Sequence, residues 1–179
     1  MKTTTLSAQR GITLIEACIV LAVTAIVAGS AAPSMQSLID ARRLEGAATQ
    51  LATDIQFVRS EAVARNEALR LSVHAAPAGS CYVIHTGNAD QCGCADAGPA
   101  QCSGDAQQIK TVTIATAERV ALQANVASVL FDPLHGTSTP TGTLRVTGAN
   151  GRAIHHVINV MGRVRSCSPQ AAVPGYRAC

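Results

Sequence analysis

The sequence predicts an α+β protein in which one long N-terminal helix leads into an antiparallel β-domain. Three observations predict it. Residues 12–32 form an apolar run carrying a single charge, Glu16. Leu44, Ala48, Leu51, Ile55, Val58 and Ala62 then recur at spacings of four and three, which is one face of an amphipathic helix. Beyond Asn66 the period changes, and short runs rich in Val, Ile and Leu alternate with turn-forming residues.

Composition bounds the function. The chain has 179 residues, 47% hydrophobic and 14% charged, which excludes a disordered charged tail and allows one domain of ordinary size. Aromatics make up 2%, too few for an aromatic-lined pocket or a base-stacking platform. The net charge of +3 is unevenly spread. Every acidic residue lies at or before Asp132, whereas residues 133–179 carry Arg145, Arg152, Arg163, Arg165 and Arg177. The C-terminal end is therefore basic.

At the N-terminus, residues 1–11 are polar and carry Lys2 and Arg10. As a helix, the apolar run that follows spans about 31 Å, enough to cross a bilayer core. The positive flank keeps the leading end cytoplasmic and sends the rest of the chain outside the inner membrane. A cleaved secretory signal fits poorly. The run is too long for a typical signal core, and Gly29-Ser30-Ala31 is only a weak cleavage candidate. A carboxylate inside a membrane span costs about 2.5 to 3.5 kcal/mol on insertion scales, so Glu16 calls for a partner.

The segment Arg10-Gly11-Ile12-Thr13-Leu14-Ile15-Glu16 resembles the type III signal of type IV pilins and of type II secretion pseudopilins. The resemblance implies that a prepilin peptidase cuts after Gly11, that Ile12 becomes the N-methylated first residue, and that Glu16 is the fifth. Pro33 becomes the twenty-second, where pilins commonly carry a helix-kinking proline. Many family members start with Phe, so Ile12 is a departure. The chain then divides into a leader (1–11), a transmembrane or filament-core helix (12–34) and a periplasmic or surface domain (35–179). The physics is independent of the family. A free amine on Ile12 and the Glu16 carboxylate are opposite charges in a low-dielectric medium, and pairing between neighbouring subunits relieves both desolvation costs. Glu16 thus serves as a register device for assembly.

The helix extends from about residue 12 to about residue 67, kinked near Pro33, with Arg42, Glu45, Asp54, Arg59, Glu61 and Arg65 mostly off its apolar face. Strands are expected at 69–73, 82–85, 109–114, 120–124, 126–131, 144–146, 153–160 and 164–166. Asn150-Gly151 is a hairpin turn between two of them. Residues 87–107 show no periodicity and read as a surface loop. The second half of the chain resembles the FimT/GspH group of minor pilins through Phe131-Asp132-Pro133-Leu134-His135-Gly136, the 144–160 hairpin and Gly162-Arg163-Val164-Arg165-Ser166-Cys167. A type IV pilin-like fold is the expectation this implies.

Of the seven cysteines, Cys18 sits in the apolar run. Cys81, Cys92, Cys94, Cys102, Cys167 and Cys179 lie downstream in loop-like sequence, which points to up to three disulfides in an oxidising compartment. Connectivity stays open. Cys81 across to Cys102, with Cys92 or Cys94 involved, is one arrangement, and Cys167 with Cys179 could close the tail. The rival is a metal site using Cys92, Cys94 and His85, against which stands the single tight C-x-C.

No nucleophile motif, zinc-hydrolase motif or phosphate loop is present, so no enzyme and no cofactor is expected. On a strand, His155 and His156 face opposite ways and make poor joint ligands. Asp132 before Pro133 reads as a turn former. The arginines are different. Arg163 and Arg165, two apart after Gly162, face one way on an extended segment, Arg145 and Arg152 lie in the preceding hairpin, and a Cys167–Cys179 loop would carry Arg177. Guanidinium groups bind phosphates bidentately, and no nearby carboxylate in sequence neutralises these. Pairing with helix acids such as Glu61 or Asp54 is the alternative. In FimT-like minor pilins of transformable bacteria a Gly-Arg-x-Arg element near the C-terminus binds DNA. The similar Gly162-Arg163-Val164-Arg165 here implies non-specific double-stranded DNA as a partner, in natural transformation. Other major and minor pilins, the prepilin peptidase and the inner membrane complete the implied partners. A purely structural minor pilin for assembly, twitching or adhesion, and an H-type pseudopilin of a type II secretion system, are the competing readings.

Overall fold

The structure, a computed structural model, describes residues 13–76, 78–95 and 98–179. The expected leader, its cleavage position at Gly11 and the methylation position Ile12 lie outside the described residues. Helix α1 runs Leu14–Arg65, helical through position 33. Two compact units divide the chain after Leu38.

The first unit is the apolar stretch of α1. It is long and apolar enough to cross a membrane. Leu14, Ile15, Leu21 and Ile26 are all largely exposed, as expected of a helix whose apolar partners are lipid or other subunits. At its start Thr13 Oγ1 accepts the Glu16 backbone N–H at 3.3 Å, and the Ala17 N–H reaches the Thr13 carbonyl at 3.1 Å. Thr13-Leu14-Ile15-Glu16 is thus a capping-box sequence with its threonine half formed. Glu16 sits in the first turn, where the helix dipole favours a carboxylate.

The second unit begins at Ile39. Leu44, Ala48, Leu51, Ile55, Val58 and Ala62 are all buried, so the spacing found in the sequence is the core face. Two antiparallel sheets share that core. The first has the order β5–β2–β1–β7–β8, with β1 Leu69–Ala76, β2 Gly79–His85, β5 Gln108–Ala115, β7 Ser128–Phe131 and β8 Ser138–Thr139. The second has the order β11–β10–β9–β6, with β6 Val120–Ala124, β9 Gly142–Gly148, β10 Ala153–Ile158 and β11 Val164–Cys167. Inward residues alternate along each strand: Leu144 and Val146 on β9, Ile154 and Ile158 on β10, Val120 and Leu122 on β6. Each such side chain contributes about 1.5–3 kcal/mol on burial.

Three expectations need correction. Asp54, assigned to the polar side of the helix, is buried: its carboxylate accepts the Tyr82 hydroxyl and the Lys110 ammonium, each at 2.6 Å. The pair holds the helix to β2 and β5, and burial beside that carboxylate pushes the Tyr82 hydroxyl far above its ordinary pKa. The segment 87–107 is also more than a surface loop. It carries a small ribbon, β3 Cys92–Gly93 paired with β4 Gln101–Cys102, and packs on the outer side of the first sheet. That is why β2 is buried on both faces, with Cys81, Val83 and His85 sealed opposite Tyr82 and Ile84. The ribbon also dictates the bridges. Cys92 lies directly across from Cys102 and bonds to it, leaving Cys94 for Cys81, so Cys81 does not pair with Cys102. Cys167 bonds Cys179.

Candidate nucleic-acid interface

The second sheet presents its outer face to solvent, and strand register places the basic residues on it. Arg165 on β11 is opposite Val157 on β10, while Arg145 on β9 is opposite His155 on β10 and Gln123 on β6. Arg165 and Arg145 therefore share one face, two strands or roughly 10 Å apart across it. Val164 and Ser166 are half-buried, and Arg163 and Arg165 on either side are exposed. Arg152 lies in the β9–β10 turn, at the opposite end of β10 from Arg163. Arg177 is held beside the end of β11, where its carbonyl accepts the Ser168 N–H at 2.8 Å and the Cys167–Cys179 bridge closes the tail. The five guanidiniums are all exposed and form a stripe roughly 20 Å long by strand rise.

Among the described residues, the acids that form ion pairs do so away from this stripe. Glu61 pairs with Arg65 at 2.6 Å, Asp54 with Lys110, Asp40 with Arg119 at 3.3 Å, and Glu45 with Arg42 at 3.0 Å. Among the described residues no carboxylate pairs with Arg145, Arg152, Arg163, Arg165 or Arg177. The Glu61 or Asp54 alternative is thereby corrected: both acids have other partners.

Gly162 has a structural duty that its sequence context did not reveal. It is buried at φ +69° in the β10–β11 turn, and a Cβ there would meet the Gly136 carbonyl at 2.5 Å and Arg59 Nε at 2.8 Å. Arg59 Nε donates to that same Gly136 carbonyl at 2.9 Å. The turn is closed by Gly162 N–H to the Asn159 carbonyl at 2.9 Å, Asn159 N–H to the Arg163 carbonyl at 3.1 Å, and Arg163 N–H to Asn159 Oδ1 at 2.9 Å. The helix thus fixes the turn from which Arg163 and Arg165 emerge.

The histidines divide as strand alternation requires. His156 is buried, its Nδ1 paired with Ser166 Oγ at 2.9 Å and its Nε2 toward the Ala48 backbone without a bond of good geometry. Burial pushes its pKa down to about 4. His155 is half-buried, and burial together with Arg145 lowers it too. His85, paired with Ser72 at 2.8 Å and with the Thr86 carbonyl at 2.8 Å, is also lowered by burial. This Ser–His pair lies fully buried beneath the disulfide-tied ribbon, closed to any substrate. The metal alternative is corrected as well: Cys92 and Cys94 are in disulfides, and among the described residues no three His, Cys, Asp or Glu could hold an ion. Asp132 is a turn former, its Oδ1 accepting the N–H groups of Leu134 at 3.0 Å and His135 at 2.8 Å.

These neutral histidines make stability pH-dependent. An unfolded His titrates near 6.5, so the unfolded chain binds more protons than the folded one below that value. Stability is full above about pH 6.5 and falls as pH drops toward 4, with His156 alone accounting for up to about 3 kcal/mol. Thermal melts should show the melting temperature of His156→Gln varying less between pH 7 and pH 4.5 than that of the native chain. An equal loss in both would remove His156 as the cause.

Comparison with known proteins places this geometry. Residues 47–162 match the family model described as type II transport protein GspH. Among solved structures, the type IV minor pilin FimU of Pseudomonas aeruginosa PAO1 is similar in two crystal forms. One has TM-score 0.53 and 20% identity, covering 72% of this chain and 94% of FimU, and the other has TM-score 0.50 and 21% identity, covering 70% and 97%. No curated protein matches the sequence. At that identity the likeness shows the fold, that of a type IV pilin with a long N-terminal helix packed on antiparallel sheets. The family model spans well over half of the chain and ends at the buried glycine of the β10–β11 turn, and on that match the chain belongs to the GspH family of pilin-like proteins.

Proposed function

We propose that this protein is a minor pilin of a type IV pilus that binds double-stranded DNA through its C-terminal arginines and supports DNA uptake in natural transformation. One observation carries the reading: five exposed guanidiniums, presented on one sheet, its two flanking turns and the tail bridged beside it, have no carboxylate partner among the described residues. Maintaining such a stripe unneutralised disfavours compactness unless a polyanion meets it. Phosphates suit it, and the near absence of aromatics leaves base stacking out. Affinity per subunit is modest, with about three to five phosphate contacts, and capture draws on avidity along the filament. Incubating the full chain in neutral detergent with unrelated 30-bp duplexes tests this. Retardation of all of them at low salt is expected, equal among duplexes of similar deformability, and no retardation would refute it.

The same reading places residues 1–11 as a leader removed by a prepilin peptidase, 12–34 in the inner membrane before assembly, and 35–179 in the periplasm and then on the pilus surface. Mass spectrometry of the mature protein should begin at methylated Ile12. A start at Met1, or one beyond Ala32, contradicts it. A second reading, the H-type pseudopilin of a type II secretion system, is favoured by the description of the matching family, whose model ends at residue 162, before Arg163. Under that reading the arginines beyond the matched segment have no assigned task.

A further inference from the structure

The corner of the β10–β11 turn is apolar. Val160 and Met161 occupy the two projecting positions between Asn159 and Gly162, and each is 56% exposed. Turn corners ordinarily carry Gly, Pro, Asn, Asp or Ser, because these suit the backbone and the solvent. Leu134, 74% exposed, stands on the neighbouring 132–137 loop. The two loops are tied together: the Ser138 N–H donates to the Val160 carbonyl at 2.9 Å and the Ser138 hydroxyl to the Asn159 carbonyl at 2.7 Å. With Gly162 seated on Arg59 and Gly136, the apolar corner is rigid. It leads directly into Arg163 and Arg165. Asp132, the nearby acid, is occupied by the turn N–H groups and His135 Nδ1.

Resting on the DNA-binding reading, we infer that the Val160–Met161 corner is a wedge that enters the minor groove of duplex DNA, with Arg163 and Arg165 clamping the flanking phosphates. Minor-groove proteins insert apolar side chains between base steps and bend the duplex, and a rigid apolar corner flanked by cations has that chemistry. Partial unstacking at a TA or CA step costs less than in a stiff A-tract, so the site reads deformability without reading base edges. A lipid surface also attracts apolar residues beside arginines. The corner, however, runs straight into Arg163 and Arg165, the two arginines that the DNA reading already engages and that no carboxylate neutralises among the described residues, and this favours DNA.

The test uses the full chain in neutral detergent, a 30-bp duplex with 2-aminopurine at a central TA step, and the variant Val160→Ser/Met161→Ser, whose residues suit a turn. The native chain should raise the 2-aminopurine fluorescence several-fold at saturation and bind the TA duplex about fivefold tighter than an A-tract of equal length. The variant should abolish both effects while retaining the salt dependence of binding. Saturable binding with no fluorescence rise in the native chain overturns the wedge and leaves the DNA reading standing. Absence of binding at low salt overturns both. A folded variant that still raises the fluorescence as the native chain does overturns the wedge. The native-chain fluorescence decides even if the variant does not fold.

Discussion

Replacing Arg163 and Arg165 together by Gln should weaken DNA binding about 30-fold at 0.15 M salt and flatten the salt dependence by about 1.8. The magnitude follows from counterion release. Each neutralised phosphate contributes about 0.9 to the slope of log K against log salt, so two lost contacts remove about 1.8. The drop should be the same for unrelated sequences that are equally deformable, because phosphate contacts carry no base information. Folding should be untouched. Both side chains are exposed and make no ion pair among the described residues, and the turn that presents them is held by Gly162, Asn159 and Arg59. Binding assays across salt, with circular dichroism as the folding control, check this. Unchanged affinity and slope in a folded variant would move the DNA site elsewhere or remove it, and the secretion reading would lead.

Glu16→Ala should leave leader removal and membrane anchoring intact yet reduce incorporation into filaments by about a hundredfold or more. The substitution makes the span more apolar, so insertion is favoured. What it removes is the partner of a neighbouring subunit's N-terminal ammonium, and breaking a buried ion pair on one side costs about 3–5 kcal/mol. Glu16 has a second, local role at the first turn of α1, but the cap there uses its backbone N–H on Thr13 Oγ1, which alanine retains. Helix loss is therefore limited to the dipole interaction, a few tenths to about 1 kcal/mol. Quantifying the variant in sheared filaments against the membrane pool decides the matter. Native levels in filaments would strip Glu16 of its register role.

Much of this fold is legible in the sequence because it depends on period alone. The six helix residues from Leu44 to Ala62 named by spacing are the buried face, and β6 occupies Val120–Ala124, the run in which a strand is expected. The Asn150-Gly151 turn is where the local chemistry puts it, with Gly151 at φ +77° and Asn150 Oδ1 accepting the Arg152 N–H at 3.1 Å. What period cannot show is the partner. Asp54 lies among polar residues in the helix, and only the approach of Tyr82 and Lys110 makes its burial tolerable. The ribbon of β3 and β4 is two residues per strand, too short for any alternation, and the bridges Cys81–Cys94 and Cys92–Cys102 follow from it. Gly162 reads as a residue that allows a sharp turn before two arginines. Its reason, a lack of room beside Gly136 and Arg59, joins residues far apart in the chain. The capping box was in plain view as Thr13-Leu14-Ile15-Glu16, hidden by the more conspicuous oddity of a charge in an apolar run.

The most direct measurement of the central claim is the affinity of the detergent-solubilised full chain for a 30-bp duplex from about 50 to 300 mM salt. Three to five phosphate contacts predict that log K falls linearly with log salt at a slope between about −2.7 and −4.5. Binding that is absent at the lowest salt, or whose slope lies near zero, contradicts the account.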